Sequence, residues 1–171
     1  MQPLSRRIVL VRHAKARQDG PTDAERELED RGRADAAAAG RWLAGQGVGA
    51  DHALVSAATR TRQTWEAMAR AAGWDVVPDL DRGFYGAGPE TAMDLIRLTP
   101  GEARTLVVIG HNPTVAYLAH LLDDGEGDVE AATAMAGGYP TGAVTLFGFG
   151  GDWADLAPAT ATVLAFHVAR G

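Results

Sequence analysis

The sequence predicts an α/β fold, a three-layer α/β/α sandwich whose largely parallel central sheet is covered by helices on both faces. Two observations carry this. Short continuous runs of Ile, Val and Leu, the pattern of strands buried on both faces, recur along the chain. Between them lie longer stretches with apolar residues at helical spacing, and strands that alternate with helices make parallel sheets. At 171 residues with 46% hydrophobic content, the chain is expected to form one domain over residues 1–171.

The first strand is expected over Arg7 to Val11, ending in charge at Arg12. Gly32 to Leu43 is alanine-rich and is followed by Gly45 and Gly47 as stop signals, which predicts a helix. Ala53 to Val55 predicts a strand, and Thr59 to Ala72, with Trp65, Met68 and Ala69 on one face, a helix. Asp75 to Pro78 is expected to add a short strand, and Pro89 to open a helix through Met93, Ile96 and Leu98. Leu106 to Ile109 predicts a buried strand. Asn112-Pro113 then reads as cap and first residue of a helix running to about Leu122. The acidic stretch Asp123 to Glu130 is expected on the surface, and Ala131 to Met135 is left open, as loop or short turn. Val144 to Phe149 and Thr162 to Val168 are the closing strands.

Composition narrows the chemistry. A net charge of -6 disfavours nucleic acid and anionic membranes as partners. The absence of cysteine removes thiolate metal sites, disulfides and cysteine nucleophiles, and no histidine has metal-ligand spacing, so neither a metal nor another cofactor is expected. His13 and Lys15 interrupt the N-terminal apolar run before a signal core forms, and no apolar stretch reaches the roughly 18 residues of a membrane span. A cytoplasmic enzyme is the expectation.

In open α/β sheets ligands bind beyond the carboxyl ends of the strands. Three such junctions here carry charge: Arg12-His13 after the first strand, Arg60 at the start of a helix after the second, and His111 after the Leu106 to Ile109 strand. Two arginines and two histidines at one sheet edge repel each other unless an anion sits among them, and arginine forks match phosphate oxygens. Helix starts add free N–H groups and a positive dipole end.

These residues also resemble a known pattern. Val11-Arg12-His13-Ala14 is similar to the RHG/RHA signature of the histidine phosphatase superfamily, Ser56 to Thr64 to its S-x-x-x-R-x-x-Q-T block, and Val108 to Pro113 to its second histidine motif. Arg26-x-Leu28 before Gly32, and Pro140-Thr141-Gly142-Ala143 ahead of a strand, resemble the SixA-type phosphohistidine phosphatases within it. The resemblance implies a phosphoglycerate mutase-like fold and a reaction through phosphohistidine on His13, with Arg12, Arg60 and a protonated His111 around the phosphoryl oxygens. The Arg60-x-x-Gln63-Thr64 spacing selects Arg60 over Arg62, which is expected at the surface.

Arg26 at the pocket rim and Asn112 beside His111 are candidate substrate-binding residues, while Arg26 also reads as a solvated charge among Glu25, Glu27 and Glu29. Relatives that cleave alcohol esters carry an acidic proton donor in the region corresponding to Leu80 to Glu90. Asp81 and Glu90 are the candidates there, and each also reads as an ordinary loop or helix-start carboxylate. The substrate is expected to be a phosphorylated protein, such as a histidine-containing phosphotransfer domain, or else a small phosphorylated metabolite. A non-catalytic phosphate-binding module is the more distant alternative.

Overall fold

The computed structural model describes residues 3–171. In chain order the elements are β1 (Arg6–Arg12), α1 (Asp30–Gly45), β2 (His52–Ser56), α2 (Thr59–Ala72), β3 (Asp79–Asp81), α3 (Pro89–Arg97), β4 (Thr105–Gly110), α4 (Thr114–Leu122), α5 (Val129–Ala136), β5 (Ala143–Phe149) and β6 (Ala161–Val168). The strands form one sheet in the order β3-β2-β4-β1-β5-β6. The β3, β2, β4 and β1 strands are mutually parallel, and β5 and β6 complete the sheet by antiparallel pairing.

Residues Ile8 to Val11 have no polar face because both faces of β1 are covered. Ile8 and Leu10 point into a core shared with Met93, Ile96, Val115 and Leu118 from α3 and α4. Val9 and Val11 point the other way, against Ala36 and Leu43 of α1 and Trp65 and Met68 of α2. The period-2 alternation of side chains along a strand makes one apolar run serve two helix layers.

Three local expectations are corrected. Pairing in the third strand begins after Pro78, at Asp79, because proline has no N–H to donate and Val77 is left 91% exposed with no strand beside it. The α4 helix begins at Thr114, one residue beyond the expected start, after a cis Asn112-Pro113 bond. Asn112 still serves the helix end: its Oδ1 accepts from Ala116 N–H at 3.2 Å, while Nδ2 donates to the Tyr139 carbonyl at 2.9 Å. The region around Ala131 is a full helix, α5, because Asp128 caps it by accepting from Ala131 N–H at 2.8 Å.

The alanine-rich character of α1 has a packing reason. Gly40 lies so close to α2 that a Cβ there would sit 2.3 Å from the Met68 carbonyl oxygen. Alanine is preferred over glycine inside a helix by about 1 kcal/mol. Forcing two helix backbones apart typically costs about 1–3 kcal/mol or more, so the clash outweighs the propensity gain. Gly40→Ala is therefore expected to lower unfolding stability by about 1–3 kcal/mol, read as a reduced denaturant midpoint with an unchanged slope; an equal or higher midpoint would contradict this packing.

Candidate active site

Parallel pairing of β1 with β4 sets Arg12 opposite Gly110, and the His13 N–H extends the ladder by donating to the Gly110 carbonyl at 3.0 Å. His13 and His111 thus leave neighbouring strands side by side, with ring centroids 5.3 Å apart. On the other side of β4, β2 runs out at Ser56 and the chain turns into α2, whose first turn carries Arg60. Arg12, His13, Arg60 and His111 line one pocket of about 250 Å³, and Arg26 and Asn112 also line it. A larger cleft of about 620 Å³ lies at the opposite end of the sheet, near Leu4 and Phe149, and contains none of these residues.

His13 is 7% exposed, and its Nδ1 lies 2.8 Å from the Ala14 carbonyl oxygen. A carbonyl can only accept, so Nδ1 carries the proton and Nε2 keeps its lone pair. Burial pushes the His13 pKa down to about 4; the Ala14 carbonyl opposes this, while Arg60, Arg12 and Arg26 add to it. The loop is held by Thr64, whose hydroxyl accepts from Ala14 N–H at 3.0 Å and donates to the Arg60 carbonyl at 2.7 Å.

His111 Nε2 lies 2.7 Å from the hydroxyl of the fully buried Ser56, which gives the first residue of the Ser56 to Thr64 block a structural task. Burial, followed by the neighbouring His13 and Arg60, lowers the His111 pKa to about 3. A third positive charge beside two arginines is unfavourable, so His111 of the protein alone is neutral at physiological pH.

Three nitrogens at this pocket are buried with no hydrogen-bond partner: Arg12 Nε, Arg60 Nε and His111 Nδ1. Each arginine is tethered through its terminal nitrogens. Arg12 donates to the Tyr139 carbonyl at 3.0 Å, and Arg60 donates to the Asp23 carbonyl at 2.8 Å and to the Asp23 carboxylate at 3.1 Å. Buried polar groups are normally paired, so a cluster of orphans around one cavity marks a site for an acceptor.

Asp23 was not singled out from the sequence. It lies in a short 3₁₀ turn, Asp23–Glu25, and gathers Arg60, Arg26 at 3.1 Å and the Tyr85 hydroxyl on one carboxylate. The Tyr85 hydrogen bond, then Arg60, hold its carboxyl below the usual carboxylate range. No residue-level signal distinguishes it from the other acids of that charged stretch, because the partners that tie it to the pocket, Arg60 and Tyr85, lie 37 and 62 positions away. Gln63 is explained by the same loop: its side chain accepts from Leu28 N–H at 2.8 Å and donates to Glu27 at 3.1 Å, pinning the segment that carries Arg26.

The remaining candidates lie elsewhere. Asp81 uses its carboxylate to accept from Phe84 N–H at 3.0 Å, closing a turn, and Glu90 is exposed at the start of α3; neither lines the pocket. Arg62 pairs at the surface with Glu66 at 3.0 Å. His167 stacks on Trp42, with centroids 4.5 Å apart. Among the described residues, no group of three metal-ligating side chains is present and no helix is long and apolar enough to cross a membrane.

A family model for the histidine phosphatase superfamily, branch 1, matches residues 8–84. An uncharacterised protein of Mycobacterium tuberculosis is 37% identical over 162 residues, spanning 94% of this chain and 100% of the relative. Phosphohistidine phosphatase SixA of Escherichia coli is 31% identical over 127 residues, spanning 70% of this chain and 75% of that protein. The structure of a proposed phosphohistidine phosphatase SixA from Nakamurella multipartitia superposes with a TM-score of 0.83 at 30% identity, each chain covered to 95%. Fold, motif order and these relatives agree: the chain belongs to the histidine phosphatase superfamily, as a SixA-type phosphatase with a histidine nucleophile.

Proposed function

We propose that this protein removes phosphate from phosphohistidine on a protein substrate, such as a histidine-containing phosphotransfer domain, with His13 as the nucleophile. The observation that carries this reading is the ring of unpartnered nitrogens, Arg12 Nε, Arg60 Nε and His111 Nδ1, in the pocket that His13 lines. They belong to residues that line the pocket and are already fixed by the fold, and such preorganised donor groups stabilise developing charge.

In the first step His13 Nε2 forms a bond to phosphorus as the bond from phosphorus to the substrate nitrogen breaks. The released imidazole takes a proton from solvent. In the second step water attacks phosphorus, the bond to His13 breaks, and inorganic phosphate leaves with Nε2 again unprotonated. This is covalent catalysis by a nucleophile kept neutral by burial and oriented by the Ala14 carbonyl.

Leaving-group chemistry favours a phosphoramidate. An alkoxide must be protonated as it departs, a service worth about 10²–10⁴-fold, whereas an imidazole of pKa ~6.5 departs readily near neutral pH. Asp81 and Glu90 lie off the pocket, and the carboxylate beside it, Asp23, is held ionised by Tyr85 and Arg60 and so has no proton to give. Replacing Asp81 and Glu90 together by their amides is expected to change phosphohistidine hydrolysis by less than about twofold, far below what a general acid supplies. Parallel assays on sugar and nucleotide phosphates should show the weaker activity in the unmodified protein. A large, equal loss on both substrate types would move the assignment to a phosphomonoesterase.

Anion binding should also recruit a proton. In the protein alone, His111 and His13 are neutral above about pH 4. A dianion between the arginines stabilises the imidazolium, so the pKa in the complex rises, the complex holds more protons, and affinity increases as pH falls. Calorimetry of sulfate binding at pH 6 in buffers of different ionisation enthalpy should therefore report proton uptake. Binding without uptake would show that His111 stays neutral throughout.

A further inference from the structure

A second cavity, of about 360 Å³, adjoins the catalytic pocket and shares His111 and Asn112 with it. Its walls come from the 84–89 loop on one side and from Pro113 and Tyr117 at the start of α4 on the other. We infer that this groove is a leaving-group subsite, which takes an aromatic or aliphatic side chain attached or adjacent to the phosphorylated nitrogen. The inference rests on the phosphoramidate reading above and names which part of the substrate is recognised beyond the phosphoryl group.

Apart from His111, the polar side chains that line the groove are already committed. The Asn112 amide is bonded at both ends, to Ala116 N–H and to the Tyr139 carbonyl, and the Thr114 hydroxyl donates to the Ala87 carbonyl. The last contact also ties the loop wall to the helix wall. A sugar hydroxyl or a second phosphate would give up water here and find no cation beyond His111 itself, and unpaired polar groups are costly to bury. A ring or alkyl chain loses nothing polar and gains contact with Pro113 and Tyr117.

Tyr117 lines the groove and is 59% exposed, so an incoming apolar group would cover aromatic surface that the free protein leaves in water. Tyr85, from the same loop, stands edge-on to His111 with centroids 5.4 Å apart, so the boundary between the phosphoryl pocket and its surroundings is aromatic as well. An apolar side chain next to the reacting nitrogen thus meets apolar surface, while the phosphoryl group meets the arginines.

The test compares N-phosphorylimidazole with its 4-benzyl derivative, which share the leaving ring and differ only in the group offered to the groove. The unmodified protein should prefer the benzyl compound in kcat/KM by about tenfold, the scale of discrimination an apolar contact achieves in a pocket. Tyr117→Ala, at an exposed helix position where alanine is well tolerated, should remove most of that preference and leave N-phosphorylimidazole turnover unchanged. No preference in the unmodified protein, or a preference that survives Tyr117→Ala, would overturn the subsite. Should neither compound be hydrolysed, the phosphoramidate reading falls. The groove is then judged by NMR titration of 4-benzylimidazole in the presence of phosphate: saturable shifts at Gly86 and Tyr117 that vanish in Tyr117→Ala support it, and their absence overturns it.

Discussion

The chemistry of this protein hangs on one parallel strand pairing. Because β1 and β4 run side by side in the same direction, the Arg12-His13 step and the Gly110-His111 step emerge at the same edge, and the His13 N–H closes the last rung on the Gly110 carbonyl. A slip of one residue in this register would turn His13 toward the opposite face of the sheet and separate the two imidazoles. The register is fixed by apolar residues on both faces of β1, so the hydrophobic core and the catalytic geometry are specified by the same seven residues. Parallel pairing also gives the site its helix: β2 must cross over through α2, and Arg60 rides in on that helix's first turn.

Positive charge gathered at one buried pocket is the second constraint. Arg12 and Arg60 are each anchored through their terminal nitrogens, by the Tyr139 carbonyl and by Asp23, so their orientation does not depend on substrate. Asp23 partly offsets the charge of Arg60, but the rings of His13 and His111 still respond by staying neutral. A neutral His13 is what nucleophilic attack requires, and a neutral His111 is a reservoir for a proton once a dianion arrives. The same burial that orients these groups therefore sets their protonation.

Most of this arrangement was legible in the sequence because its parts are local. Strand runs, the α2 span Thr59–Ala72 and the three strand-end charges are each written in a few consecutive residues, and the superfamily's motifs fall on them. What was not legible depends on distant partners. Pro78 displaced the third strand because an edge pairing with β2 begins only where N–H groups can donate. Asp23 became part of the site through Tyr85 and Arg60, neither of which is near it in sequence. The downward shift of the His111 pKa is not written in the sequence either, because it comes from burial and from the neighbouring His13 and Arg60, which only the fold brings together. Gln63 was visible as a motif position, yet its task of pinning the Arg26 loop appears only once that loop is folded back onto α2.

The central claim is that phosphate passes through His13. Rapid quenching of the protein during turnover of a phosphohistidine substrate, under alkaline conditions that preserve phosphoramidates, followed by peptide mass spectrometry, tests it directly. The account predicts a transient phosphoryl group on His13, bonded at Nε2, that appears before free phosphate and disappears as substrate is exhausted. Phosphate trapped on His111 or any other residue, or single-turnover release with no phosphorylated protein at any time, would contradict it.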